Sequence, residues 1–286
     1  MGNRFLKIGL FAVFFTGALL MSSCIGDADF TGFFRSSVRV NERFEQSLEW
    51  NTQHAPRRIV CENNNYRLFF ASDIHIGGTE NFQKILNDSK SAETDGLFLV
   101  GDIVSGKEED YNILVESLAR ESIENYFIQV GNHELYFNGW KWFRQYFGTS
   151  VYPVEIVTPL AKDLVICLDS GGGTLGPLQL EWLEELLRNV RQNYRHCIVL
   201  HHCNFFQSDF STSATPLSEE LYELMNLFFT YSVDMVIMGH VHISSEENFG
   251  PTRYICLDAA LDGAKNASYL RLDCSDDHLV YQYISL

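Results

Sequence analysis

Side chains that bind metals follow five apolar segments of this 286-residue chain, each at the point where the segment ends. They belong to the motifs Asp73-Ile74-His75, Gly101-Asp102, Gly131-Asn132-His133-Glu134, His201-His202 and Gly239-His240-Val241-His242. Six of the nine histidines lie in these motifs. Imidazole and carboxylate together suit zinc, iron, manganese or cobalt, whereas calcium and magnesium prefer oxygen ligands and structural zinc prefers thiolates. The residue types therefore predict a transition-metal site.

Each motif is weak evidence when taken alone, because Gly-Asp is common and Asp-x-His can be a helix N-cap beside a chance histidine. The joint occurrence of all five, in order and at segment ends, favours a site. Seven candidate ligands are too many for one four-coordinate ion, and a carboxylate that bridges two ions would account for the number. Glycines before Asp102, Asn132 and His240 permit tight turns from the segments into the loops.

From Tyr66 onward, continuous apolar segments alternate with helical patterns, which predicts an α/β domain whose strands are covered on both faces. Residues 178–190 give the clearest helix, with Leu183 and Leu187 on one face. In open α/β sheets, ligands bind beyond the carboxyl ends of the strands, so one edge would gather all five motifs. The last apolar segments, residues 268–273 and 279–286, have no helix between them and predict an antiparallel hairpin.

The five motifs resemble the signature blocks of the calcineurin-like metallophosphoesterases, and the similarity runs from about Tyr66 to the C-terminus. The resemblance implies a four-layer α/β/β/α sandwich, which we assign to residues 63–286, and a centre of two divalent ions of manganese, iron, zinc or cobalt. The implied ligands are Asp73, His75, Asp102 and His242 for one ion and Asp102, Asn132, His201 and His240 for the other. Asp102 would bridge the ions, and His133 would contact the substrate phosphate or the leaving group.

The implied reaction is hydrolysis of a phosphoester, in which a hydroxide that the metals supply attacks phosphorus in line. Asp102 and His133 are the expected catalytic residues, and His133 is the candidate for protonating the leaving oxygen. We expect a phosphodiesterase. A phosphomonoesterase, a nucleotide-sugar pyrophosphatase and a non-catalytic binding lipoprotein on the same scaffold are the alternatives.

Charge and loop composition bear on the substrate. The net charge of −16 argues against a stable nucleic-acid partner, which would need a basic surface, and leaves a small phosphoester as the expected substrate. Residues 201–210, which begin the loop over residues 203–216, lack the prolines that many family members have after the His201 position. Within them, Phe205, Phe206 and Phe210 could stack on a base, contact a lipid or only hold the loop in place. The substrate class stays open.

The N-terminus has the pattern of an export signal. Arg4 and Lys7 precede an apolar stretch, residues 8–20, which is shorter than the roughly 20 residues of a membrane-spanning helix. Small residues before Cys24 resemble the lipobox of bacterial lipoproteins, in which that cysteine carries the lipid. We therefore expect a signal peptide over residues 1–23 and an exported protein anchored through Cys24 to a bacterial membrane. A plain secretory peptide and an uncleaved anchor are the alternatives.

Residues 24–62 differ in composition from the domain that follows and predict an N-terminal arm. Val40, Phe44 and Leu48 recur at every fourth position, which favours a short helix whose apolar stripe packs on the main domain. Contact with a membrane or a partner is the alternative. Six cysteines besides Cys24 would permit disulfides in an exported protein. Because several of them lie inside apolar strand-like segments, we expect mostly free, buried thiols.

Overall fold

The computed structural model describes residues 36–206, 214–275 and 278–286, which form two β-sheets and their flanking helices. The predicted signal peptide and Cys24 lie outside these ranges. The helices within them are α1 (Val40–Gln53), α2 (Glu80–Ser91), α3 (Glu108–Arg120), α4 (Trp140–Phe147), α5 (Gly176–Val190) and α6 (Ser218–Thr230). Short 3₁₀ turns span His133–Asn138 and Arg191–Asn193.

The strands form one sheet of five and one of seven. The five-stranded sheet contains, in spatial order, β12 (His278–Ser285), β11 (Ser268–Ser275), β2 (Tyr66–Ala71), β3 (Gly96–Val100) and β4 (Tyr126–Gln129). The seven-stranded sheet contains β1 (Arg57–Val60), β5 (Tyr152–Val157), β6 (Lys162–Cys167), β7 (Cys197–Leu200), β8 (Met235–Met238), β10 (Thr252–Cys256) and β9 (Ser245–Phe249). Strands β2, β3 and β4 are parallel to one another, as are β6, β7, β8 and β10. The predicted hairpin is confirmed as antiparallel β11 and β12.

Three apolar layers hold these elements together. The central layer lies between the sheets, where the rings of Phe70 and Phe98 stack at 5.1 Å. Because side chains alternate along a strand, Phe98 points into this layer while Leu97 and Leu99 pack with residues of α2, α3 and α4. A third layer joins the seven-stranded sheet to α5 and α6. Burial of each Phe or Leu side chain stabilises the folded protein by about 1.5–3 kcal/mol. Two sheets with helices on their outer faces confirm the predicted α/β/β/α sandwich.

Three strands, β1, β5 and β9, were not predicted from the sequence. Strand β5 alternates buried and half-buried residues and carries Pro153, which weakens a strand pattern. Strand β1 has four residues and pairs with β5 at the sheet edge. Strand β9 is fully exposed and reads SEENF, so it has no apolar pattern to mark it. Strand β1 pairs with a strand that is distant in the chain, whereas β5 and β9 each form an antiparallel pair with the strand that follows them.

Helix α1 packs against the seven-stranded side of the sandwich. The ring of Phe44 meets Trp182 of α5 edge-on at 6.0 Å, as expected for an apolar stripe. Arg43 and Ser47 are buried as well, which the stripe did not predict. Nε and Nη2 of Arg43 each donate to a carboxylate oxygen of Asp169 at 2.8 Å, and both side chains are almost fully buried. A bidentate ion pair therefore fixes α1 to the loop that follows β6.

The six cysteines within the described ranges are free and buried, as the sequence predicted. Burial raises the pKa of the thiols of Cys167 and Cys197 to about 12, so these side chains pack as small apolar groups and are unreactive. Among the described residues, no helix is long and apolar enough to cross a membrane.

Candidate metal centre

The two sheets bring their predicted site residues to one edge of the sandwich. The backbone N–H of Asp73, after β2, donates to the carbonyl of Gly101, after β3, at 3.1 Å. The N–H of His240, after β8, donates to Oδ2 of Asp73 at 3.0 Å and so joins the two sheets. A Cβ on Gly239 would lie 2.0 Å from Ser72 Oγ, so only glycine permits this approach. One edge gathers the motifs because their strands end there together.

Backbone strain is concentrated at this edge. Five of the non-glycine residues with positive φ are predicted site residues: Asp73 (53°), His75 (47°), Asp102 (53°), His240 (75°) and His242 (61°). Such conformations are sparsely populated and cost roughly 1–3 kcal/mol each, so they persist where the surrounding structure enforces them. Here the turns direct side chains from the strand ends towards a common point.

The first group of side chains consists of Asp73, His75 and His242. Oδ2 of Asp73 accepts hydrogen bonds from Ser72 Oγ at 2.6 Å and from the His240 N–H. Its Oδ1 is buried, makes no hydrogen bond, and lies 3.2 Å from Nε2 of His242 and 3.9 Å from Nε2 of His75. The two Nε2 atoms are 3.2 Å apart. Three atoms that carry lone pairs thus converge on one point.

The second group consists of Asp102, His202 and His240, with Asn132 beside them. Nδ1 of His202 lies 2.8 Å from the carbonyl of Val100 and therefore carries its proton. In a neutral ring, Nε2 then directs a lone pair at Oδ2 of Asp102, 3.2 Å away, and at Oδ1 of Asn132, 3.3 Å away. Three lone-pair atoms that face one another in this way repel unless a proton or a metal ion lies between them. Asp102 is also grouped with His75 and His133, so it lies between the two clusters.

Distances and protonation states fit divalent metals at both points. Tetrahedral ligands at about 2.0–2.1 Å from an ion lie roughly 3.4 Å from one another, close to the separations found here. Burial lowers the pKa of His75 and of His240 to about 4, which keeps both rings neutral and able to ligate. Burial also opposes a charge on His202, but the carboxylate of Asp102 outweighs it and raises the pKa to about 10. Without a metal, a proton on His202 supplies the charge that this position requires.

The structure places His202, and not the predicted ligand His201, at the second group. Ile198 and Leu200 of β7 point between the sheets, whereas Cys197 and Val199 point towards the helices. The alternation sends His201 to the helix side, where its ring meets Phe205 edge-on at 4.7 Å and its Nδ1 lies 2.8 Å from the carbonyl of Cys203. We therefore revise the predicted ligand from His201 to His202.

His133 lies at the rim of the centre, where the prediction that it contacts substrate remains to be tested. Its N–H donates to Oδ1 of Asp102 at 2.8 Å, and its ring meets that of His75 edge-on at 4.3 Å. Nε2 is 3.9 Å from Oδ2 of Asp102, and about a third of the side chain, 31%, is exposed. Burial lowers its pKa. Its ring can therefore reach both the shared carboxylate and a bound ligand.

Glu134 has a positioning role that the sequence analysis did not assign. Its buried carboxylate accepts four backbone N–H groups, from Asp102 (2.8 Å), Ile103 (2.7 Å), Val104 (3.0 Å) and Gly131 (2.7 Å). Burial and the nearby charge of Asp102 raise the pKa of Glu134 to about 7, against the effect of these donors. One side chain therefore ties together the loops that carry Asp102 and Asn132. The position of Glu134 in the Gly-Asn-His-Glu motif was the sequence feature that could have indicated this role.

Comparisons with known proteins agree with this geometry. Residues 66–244 match the family model of the calcineurin-like phosphoesterases. No curated protein matches the chain.

Solved structures share the fold at low sequence identity. A dimetal phosphatase from Danio rerio is similar with a TM-score of 0.63 and 11% identity over 77% of this chain and 96% of that chain. A purple acid phosphatase from yellow lupin seeds has a TM-score of 0.60 and 17% identity, over 78% of this chain and 52% of that chain. GAP50 of Plasmodium, described as the anchor in the inner membrane complex, has a TM-score of 0.59 and 12% identity, over 78% of this chain and 85% of that chain. At these identities the likeness concerns the fold.

The family match covers more than half of the chain, and the groups that could hold metals lie where its motifs meet. The protein is thus a metal-dependent phosphoesterase of a family that uses two divalent ions. As the motifs predicted, the chain belongs to the calcineurin-like phosphoesterase family.

Proposed function

We propose that the protein is a phosphodiesterase acting on a small phosphoester. The observation that carries the proposal is the pair of ligand groups that Asp102 joins, since Asp102 belongs to the second group and is also grouped with His75 of the first and with His133 at the exposed rim. The ion pairs at this centre, within the described ranges, are formed by histidines. Apart from the metal ions, the second negative charge of a phosphomonoester would therefore have no lysine or arginine partner among those pairs, which favours the singly charged diester.

The proposed ligand sets follow the two groups. Asp73, His75, Asp102 and His242 would hold one ion, and Asp102, Asn132, His202 and His240 would hold the other. Two such ions supply a nucleophile at neutral pH and neutralise charge on the phosphoryl group. The contribution of the chain would be to hold both ions through the buried carboxylate of Asp102, whose Oδ1 accepts the His133 N–H.

We propose that His133 protonates the leaving oxygen. An alkoxide needs a proton as it departs, whereas p-nitrophenolate hardly does, so the role can be tested through the leaving group. His133→Asn should retain both metals and show a steeper dependence of log kcat on leaving-group pKa than wild type. Parallel lines with a uniform decrease would assign His133 to phosphate binding instead.

The activity is tested with bis-p-nitrophenyl phosphate, p-nitrophenyl phosphate and a nucleotide sugar, each with metal-free and manganese-loaded protein. We expect the diester to give the highest kcat/KM, at least tenfold above the monoester. A preference for the monoester or for the nucleotide sugar would establish the corresponding alternative. A metal-loaded protein that turns over none of the three would favour the binding lipoprotein.

We further propose that Cys24 is lipidated and anchors the exported protein to a bacterial membrane. The support is the sequence: a short apolar stretch, residues 8–20, ends in small residues before this cysteine. A single acyl chain binds a membrane only marginally, so stable anchoring needs more than one chain or an additional contact. Cys24→Ser should move the protein to the soluble fraction with its activity intact. Unchanged partitioning would contradict the proposal.

A further inference from the structure

Tyr136 contacts both functional residues of the Gly-Asn-His-Glu motif. Its hydroxyl accepts a hydrogen bond from Nδ2 of Asn132 at 2.9 Å. Its ring lies 4.4 Å from the ring of His133, centroid to centroid, at an angle of 39°. The sequence analysis assigned no role to this tyrosine. Tyr136 follows Asn132 and His133 by about one turn of the chain, so its side chain can contact both.

The direction of the Asn132 amide matters because its two ends differ chemically. Only the carbonyl oxygen has lone pairs for a metal, whereas the NH₂ end carries two protons and would repel the ion. In the structure Oδ1 faces Nε2 of His202 at 3.3 Å, on the side of Asp102, and Nδ2 faces the Tyr136 hydroxyl. In this arrangement the Tyr136 hydroxyl accepts from Nδ2, and this hydrogen bond holds the amide with its oxygen towards the centre.

The backbone holds Tyr136 where it can make this contact. Residues 133–138 leave helical geometry at Tyr136 (ψ 151°), and Phe137 follows in the left-handed region with φ 54°. Two glycines pack against this turn: a Cβ on Gly106 would lie 2.2 Å from the Tyr136 carbonyl oxygen, and one on Gly139 would lie 2.3 Å from that of Glu134. The turn is thus clamped by backbone contacts, so the position of Tyr136 is independent of its hydroxyl.

We propose that Tyr136 is a positioning residue, whose hydroxyl orients the Asn132 amide so that its oxygen faces the second metal, while its ring supports His133. This inference rests on the proposed two-metal function. It predicts different outcomes for two substitutions. Tyr136→Phe removes only the hydroxyl, and Tyr136→Leu also removes the aromatic contact with His133.

The test is a titration of metal-free protein with Mn²⁺, in which the free ion is measured by its electron paramagnetic resonance signal. Tyr136→Phe should weaken one of the two bound ions by about 10–100-fold and leave the other within about threefold. The matched control is Tyr146→Phe, because the Tyr146 hydroxyl donates to Oδ1 of Asn112 at 2.6 Å on an exposed surface. We expect the control to bind both ions as wild type does.

The same substitution in Asn132→Asp protein distinguishes an effect on the orientation of the Asn132 amide from a general structural effect. Aspartate at position 132 offers an oxygen at either end, so the orientation of the group no longer matters. In Asn132→Asp protein, the further change Tyr136→Phe should therefore alter Mn²⁺ affinity by less than about threefold. Thermal unfolding of all variants shows whether the fold is retained.

The outcomes distinguish this inference from the proposed function. Unchanged Mn²⁺ affinity in Tyr136→Phe, or an equal loss in the wild-type and Asn132→Asp backgrounds, would overturn the role of the hydroxyl. The ring contact predicts that Tyr136→Leu has a lower kcat on alkyl diesters than Tyr136→Phe at saturating metal, and equal values would overturn that part. Wild-type protein that binds fewer than two ions would instead refute the metal centre itself.

Discussion

Replacing Glu134 by glutamine is expected to destabilise the protein by about 3–6 kcal/mol, although the two side chains have the same shape. The carboxylate accepts four backbone N–H groups at 2.7–3.0 Å, two on each oxygen. An amide presents a donor where one oxygen was, so two of the four bonds are lost. Hydrogen bonds to charged groups contribute roughly 1.5–3 kcal/mol each, which gives the stated range.

The assay is urea unfolding of metal-free protein at pH 8, above the pKa of about 7 for Glu134, so that its carboxylate is ionised in wild type. At a slope of about 3 kcal/mol/M, the midpoint should fall by roughly 1–2 M. The control is Glu116→Gln, an exposed position on α3, which should stay within about 0.5 kcal/mol of wild type.

A loss below about 1 kcal/mol for Glu134→Gln would refute the reasoning. It would mean that Glu134 is protonated in the folded protein, so that an amide replaces a neutral acid at little cost, and that the two loops are held by other contacts. A loss in the expected range with reduced Mn²⁺ binding would show that stability and the metal centre depend on the same four bonds.

Three further substitutions test other parts of the structure. His202→Ala should remove one bound Mn²⁺ ion, whereas His201→Ala should keep both; the reverse result would restore His201 as the ligand. Arg43→Met should lower the unfolding free energy by about 3–5 kcal/mol, because it leaves a buried carboxylate unpaired; a loss below 1 kcal/mol would contradict this. Asp234→Asn tests a pH effect: burial lowers the pKa of His196, but Asp234, whose Oδ1 lies 3.3 Å from Nδ1 of that ring, together with Cys274 and Asp163, raises it from 6.5 to about 9. The stabilisation is complete below pH 6.5 and lost as the pH rises through 9, so urea unfolding should show a smaller penalty at pH 10 than at pH 6; an equal penalty would refute the pairing.

The sequence predicted the layers and the edge of the site because both depend on local patterns. Segments such as residues 96–100 are continuously apolar, so they must be buried on both faces, and parallel strands end together. The polar residues after them could therefore be assigned to one edge without knowledge of any contact. Strand β9 shows the limit, since an exposed edge strand pairs through its backbone and needs no apolar pattern.

The choice between His201 and His202 could not be made from the sequence. All four residues of β7 are apolar, so the pattern does not show which alternate residues point between the sheets. The face is set by the opposite sheet, which lies more than a hundred residues away at Val100. Tyr136 was missed for a related reason: its role depends on a left-handed turn at Phe137 that has no sequence signature.

The number of metal ions held per chain tests the central claim most directly. Mn²⁺ titration of metal-free protein should give two ions in wild type. Asp102→Asn should weaken both, because Asp102 belongs to both proposed ligand sets and is grouped with His75 on one side and with His202 and His240 on the other, while the exposed control His54→Ala should keep two. Chelation should abolish phosphoester hydrolysis, and added manganese should restore it. One ion per wild-type chain, two tightly bound ions in Asp102→Asn, or full turnover in chelator would contradict a dinuclear centre built on a shared carboxylate.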